Sequence, residues 1–127
     1  MNIEEYLEKN YTNINMDILV DLFFKQEYFY TLIYPQTIPK REEYLIQEID
    51  KDIVGLVFTS KEKINQYKKE EPLTKNWIIK EYPTVDFEKY FQDINRNING
   101  ICINYPFYWC KLILFKKWKD FNIWIYI

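Results

Sequence analysis

Chemistry at neutral pH needs a nucleophile with a base, a phosphate cradle or a set of metal ligands, and this chain of 127 residues is short of each. It has no histidine, which removes Ser-His-Asp and Cys-His catalysis, the usual base near neutrality and most zinc sites together. Ser60 is the sole serine, with only Lys61 and Lys63 beside it, so no positioned base activates it. Cys102 and Cys110 have no histidine or further cysteine, so they give neither a metal-ligand spacing nor a disulfide framework. Buried free thiols are the expectation. Glycine occurs only at 55 and 100, and no phosphate-binding loop can be drawn from that pair. The adjacent carboxylates Glu4/Glu5, Glu42/Glu43 and Glu70/Glu71 diverge in any helix or strand, so a glycosidase-type pair would have to form across the fold. Catalytic residues, bound metal and cofactors are therefore not expected.

What remains is recognition. The net charge is −2, which gives no reason to expect nucleic acid. Lys68-Lys69 and Lys116-Lys117 lie among Tyr67, Phe115 and Trp118, but this is a weak imitation of a single-strand-binding surface. The acidic excess sits in residues 1–60, and Glu42, Glu43, Glu48, Asp50 and Asp52 fall within one short stretch. Such a run is ordinarily a solvated edge; the sharper reading is a surface that steers a basic partner. Aromatic residues reach 20% of the chain, including 12 Tyr and 4 Trp. Most must fill the core, yet Tyr105, Tyr108 and Trp109 are the residue types that carry protein interfaces, and they complete the candidate partner-binding set.

These residues need elements to position them. Hydrophobic residues at 48% and charged ones at 28% suit a folded domain, and the length suits one such domain, here 1–127. The start is acidic and no stretch is clean enough to span a bilayer, so a soluble cytoplasmic protein that avoids membranes is expected. Helices are expected at Ile3–Asn10, at Met16–Lys25 with Asn15 as N-cap, after Ser60, and over Phe87–Ile94 with Thr84 or Asp86 as cap. Tyr28–Tyr34, Asn76–Tyr82 and Ile101–Asn104 read as strands, each ended by or near proline. Ile53–Thr59 is a continuous apolar run, as in a central strand buried on both faces. Residues 107–118 fit a helix by spacing and a strand by propensity, and residues 121–127 read as a final strand. The sum is an α+β fold, a central mixed sheet with flanking helices.

Three segments resemble the N-terminal domain of the SseB (enhanced serine sensitivity) family. Val57-Phe58-Thr59-Ser60-Lys61-Glu62 is similar to that family's junction of buried strand, Phe-Thr-Ser and helix. The Met16–Phe24 helix followed by the Tyr28–Tyr34 strand matches its opening order. The Phe87–Ile94 helix leading to Gly100-Ile-Cys-Ile-Asn104 is similar to its glycine, apolar strand and Asn-Pro segment, although Tyr105 here separates Asn104 from Pro106. The resemblance covers Met16 to Pro106 and carries no catalytic residue. It implies a likeness to small proteins encoded beside bacterial toxins, where such domains act as immunity proteins.

The leading functional expectation is thus a non-enzymatic protein-binding module, an immunity protein or comparable inhibitor that neutralises a bacterial toxin or nuclease by direct contact. The alternative is a small SseB-type regulatory protein acting on a metabolic enzyme.

Overall fold

The computed structural model describes residues 1–10, 12–35, 43–49, 51–94, 98, 100–105, 112–118 and 121–126. Within them lie α1 (Ile3–Asn10), α2 (Met16–Lys25), β1 (Tyr28–Ile33), β2 (Ile46–Ile49), β3 (Asp52–Val57), α3 (Lys61–Glu70), β4 (Ile78–Pro83), α4 (Phe87–Ile94), β5 (Gly100–Ile103), β6 (Leu112–Trp118) and β7 (Phe121–Tyr126). Short 3-10 turns at Pro72–Thr74 and Thr84–Asp86 bracket β4. Five strands run in the order β2-β3-β5-β7-β6, with β3, β5 and β7 parallel and the outer two antiparallel to their neighbours. β1 and β4 form a separate antiparallel ribbon. The ribbon is nevertheless tied to the larger sheet. Tyr30 exchanges both backbone bonds with Phe58, Leu45 N donates to Leu32 O, and Tyr34 N donates to Glu43 O. β1 therefore crosses the fork where the chain entering β2 and the chain leaving β3 diverge. The architecture is α+β with a central mixed sheet.

Strand alternation sorts the apolar residues onto two faces. Val57, Ile101, Ile103, Phe29, Tyr44 and Tyr82 meet α1, α2 and α4 through Leu7, Leu19, Phe23, Phe87 and Tyr90. Val54, Leu56, Phe58, Cys102, Leu32 and Leu45 meet α3 through Ile64 and Tyr67 on the other. The first core is aromatic. Phe29 stacks on Tyr82 at 5.2 Å between ring centroids, and Phe23, Phe87 and Tyr90 surround it at 5.5–5.8 Å. Such pairs add a geometric preference to the burial of large rings. Gly55 has a packing reason to be glycine: a Cβ there would collide with the hydroxyl of the fully buried Tyr90. Cys102 is a buried free thiol, as expected.

Most expected elements are present, with local chemistry that accounts for them. Asn15 Oδ1 accepts from Asp17 N and Ile18 N, and Ser60 Oγ accepts from Lys63 N, so both act as N-caps. β3 lies between β2 and β5, buried from Val54 onward, although Ile53 at its start is 39% exposed. Thr84 does not cap α4. It is buried in the 3-10 turn with its hydroxyl unpartnered among the described residues, and the turn's own backbone bond from Phe87 N to Thr84 O leads into the helix. Asp86 is exposed in the same turn. The helical spacing at residues 107–118 is overridden over Leu112–Trp118, which is a strand held in antiparallel register against β7. β7 is not an edge strand; it inserts parallel to β5 and leaves β6 outermost.

Candidate functional site

Ligands of open α/β sheets gather outside the carboxyl ends of parallel strands, so that end of β3 and β5 is the first place to look. It is polar but occupied by its own groups. Asn104 follows β5 with φ 57 and is completely buried. Its Oδ1 accepts from Thr59 N at 3.0 Å, and its Nδ2 donates to Thr59 Oγ1 at 2.9 Å. Thr59 Oγ1 donates onward to Glu4 Oε1 on α1 at 2.7 Å, and Thr59 O accepts from Gln26 Nε2. Every hydrogen-bonding atom of Thr59 is thereby engaged, and Ser60 is spent as a helix cap. The Thr59-Ser60 junction is a latch joining α1, β3, α3 and β5. No His/Cys/Asp/Glu group with metal-binding geometry occurs among the described residues.

The candidate binding residues are dispersed. Glu42, Asp50, Tyr108 and Trp109 lie outside the described residues. Glu48 and Asp52 share the turn end of the β2–β3 hairpin, where Lys51 takes φ 74. Their register partners are Ile53 and Ile49, so the two carboxylates belong to opposite faces of the hairpin. Glu43 is exposed at the far end of that segment, beside Tyr34. Tyr105 follows β5 at its carboxyl end and packs against Tyr67, at the other end of the parallel strands from Asp52. The described part of the acidic stretch thus does not make one continuous surface.

A different surface does combine aromatic and acidic groups. β1 alternates so that Phe29 and Thr31 face the aromatic core, while Tyr28, Tyr30, Leu32 and Tyr34 share the opposite face. The antiparallel register sets Pro83, Glu81 and Ile79 of β4 opposite Tyr28, Tyr30 and Leu32 on that face. Trp77, just before β4, meets Tyr34 edge to face at 5.3 Å. Leu32 is buried beneath α3, but Tyr28, Tyr30, Trp77 and Ile79 are only partly covered and Tyr34 is 48% exposed. Glu27, Glu43 and Glu81 are exposed around them. The charge of Glu27 holds the Tyr28 phenol above its ordinary pKa, and burial followed by the charge of Glu81 does the same for Tyr30. More of the exposed apolar surface lies along this edge: Ile78 at 52%, Leu73 at 91% and Val85 at 89%, the last two in the turns before and after β4. The sequence carried a signal for this surface, since tyrosine takes the even and phenylalanine the odd position of Tyr28-Phe29-Tyr30.

The inner side of the same ribbon is held by a directional hydrogen-bond chain. Lys80 Nζ donates to Tyr44 Oη at 2.8 Å, and Tyr82 Oη donates to Asp93 Oδ2 at 3.0 Å. Because Tyr82 gives its single proton to Asp93, Tyr44 is the donor in the 2.8 Å contact between the two phenols. The Lys80 ammonium also sits 5.0 and 5.3 Å from the Tyr82 and Tyr44 ring centroids. Burial is the largest cause that pushes the Tyr82 phenol far above its ordinary range, and the hydrogen bond it donates to the charged Asp93 carboxylate acts in the same direction. The chain links β4, the segment before β2 and α4, and so fixes the strand that carries the outer surface.

No protein-family model, curated protein or solved structure matches the chain.

Proposed function

We propose that this chain is a non-enzymatic protein-binding module, an immunity-type inhibitor that neutralises a toxin or nuclease by direct contact through the β1–β4 ribbon. The observation that carries the reading is the row Tyr28, Tyr30, Tyr34 and Trp77 on one partly exposed face, flanked by Glu27, Glu43 and Glu81. Tyrosine and tryptophan offer large rigid area at low entropic cost and dominate binding energy at interfaces. The carboxylates add steering toward a basic surface of the kind that handles anionic substrates. The mechanism requires no catalytic group, in keeping with a carboxyl-end cluster whose Thr59 is fully engaged inside the fold. Among the described residues no helix is long and apolar enough to cross a membrane.

The test is affinity capture from the source cell with the wild-type chain and with the Tyr34→Ala/Trp77→Ala variant, followed by activity assays on whatever is retained. We expect a partner that the wild type inhibits stoichiometrically, with at least about thirty-fold weaker binding to the variant, the equivalent of one hot spot of ~2 kcal/mol. Retention of the same partner by both proteins would refute the assignment of the surface. A metabolic enzyme captured without being inhibited would instead favour the regulatory reading.

A further inference from the structure

We propose that the outer edge of β4 accepts an extended, basic segment of the partner as an added strand, hydrogen-bonded through Ile79 and Glu81. This rests on the reading of the β1–β4 ribbon as a protein-binding surface and specifies how the surface is used. Even-numbered residues of β1 direct their backbone groups to Phe58 and to residues 43–45, so its odd-numbered residues bond to β4. Their partners are Tyr82, Lys80 and Ile78. By alternation, Ile79 and Glu81 direct N–H and C=O outward, and these four groups find no partner among the described residues.

The open stretch is closed at both ends. Trp77 O accepts from Lys68 Nζ at 2.7 Å, Trp77 N donates to Thr74 O, and Pro83 has no N–H to offer. Proline and lysine are the devices that ordinarily blunt a sheet edge, and here they leave a gap that fits a strand of about five residues. Leu73 and Val85, nearly fully exposed in the turns at either end, are placed to be covered by a strand that overhangs the gap. Charge selects the occupant. Glu27, Glu81 and Asp86 are exposed at the Pro83 end, with Glu27 O bonded to Thr84 N, whereas Lys80 faces inward onto Tyr44. A lysine or arginine opposite Glu81 would meet its carboxylate and the Tyr30 ring together.

The test uses the whole 15N-labelled chain and the end-capped peptide Lys-Val-Arg-Val-Lys, with Glu-Val-Glu-Val-Glu as the charge-reversed control. We expect saturable shifts centred on Ile79 and Glu81, with exchange of both amides slowed about tenfold or more on binding. The acidic peptide should leave them unchanged. Glu81→Pro removes an outward donor and spares the ladder to β1, so it should abolish binding. Glu81→Lys, which keeps the donor, should weaken the basic peptide by about tenfold. The proposal is overturned by shifts confined to other residues, by unchanged exchange at both amides, or by Glu81→Lys binding both peptides as the wild type does. If the basic peptide fails while Tyr34→Ala/Trp77→Ala still loses a captured partner, strand addition is wrong and the protein-binding reading stands.

Discussion

The Lys80–Tyr44–Tyr82–Asp93 chain can be dissected by removing single oxygens. In Tyr82→Phe the ring still stacks on Phe29, but the Tyr44 hydroxyl loses its acceptor and Asp93 loses a donor. Tyr44 is only 6% exposed, so breaking its hydrogen bond to Tyr82 costs ~1–3 kcal/mol; Asp93 is partly exposed and regains water at little cost. Tyr44→Phe is milder, at ~0.5–1.5 kcal/mol, since Tyr82 keeps Asp93 as its acceptor and Lys80 is partly exposed. Both single variants break the same Tyr44–Tyr82 hydrogen bond, so the double variant should be more stable than the sum of the singles predicts by about 1 kcal/mol or more. Urea unfolding with constant m-values measures the cycle, and Tyr82→Phe should lower the melting temperature by roughly 4–12 °C. Asp93→Asn preserves an acceptor for Tyr82 and should cost under about 1 kcal/mol. Additivity within ~0.5 kcal/mol, or a Tyr82→Phe variant as stable as the wild type, would refute the assignment of a coupled directional chain.

Ser60→Ala should cost ~0.5–2 kcal/mol through loss of the cap to Lys63 N while leaving partner binding intact; full stability with lost activity would contradict the capping role. Stability should also fall in alkali. Burial first, then Glu71, raises the Tyr67 phenol from 10.0 to about 12, so the unfolded chain releases that proton first and stability declines as pH rises through that interval. Tyr82 and Tyr90, both shifted upward chiefly by burial, act in the same direction. Melting temperatures measured between about pH 9 and 11 report the decline, and a flat profile would count against neutral buried phenols.

What could be read in the sequence was whatever depends on neighbours within a few positions. Asn15 and Ser60 act on amides two or three residues away, and both caps are present. The apolar run from Val54 to Phe58 needed no partner to declare itself buried. Where the outcome depended on distant pairing, local pattern misled or did not decide. Thr84 is drawn into a 3-10 turn whose amide bonds to Glu27 O. At Leu112–Trp118, which spacing and propensity left open between helix and strand, the adjoining β7 supplies the ladder that decides for a strand. The acidic stretch shows the same limit. Register places Glu48 and Asp52 on opposite faces of a hairpin and carries Glu43 to the end of β1, relations that spacing along the chain cannot reveal. Gly55 has its explanation in Tyr90, 35 positions later, and no local rule connects them.

The two sides of the β1–β4 ribbon bear on one another. A strand that docks a partner through a few backbone groups gains affinity only if it is ordered beforehand, because ordering it on binding would consume much of the interaction energy. β4 is short and, among the described residues, has a strand neighbour on one edge only, a weak basis for order by itself. Its inner side chains compensate: Tyr82 stacks on Phe29 and bonds Asp93 of α4, while Lys80 bonds Tyr44. The outer residues, Ile79 and Glu81, take no part in that chain. Substitutions can therefore separate the two roles. Tyr82→Phe should weaken docking only as far as it loosens β4, with faster amide exchange at Ile79 and Glu81 in the free protein, whereas Glu81→Lys should weaken docking with exchange in the free protein unchanged. If Tyr82→Phe accelerated exchange at both amides but bound partner as tightly as the wild type, order in β4 would not be what the surface depends on.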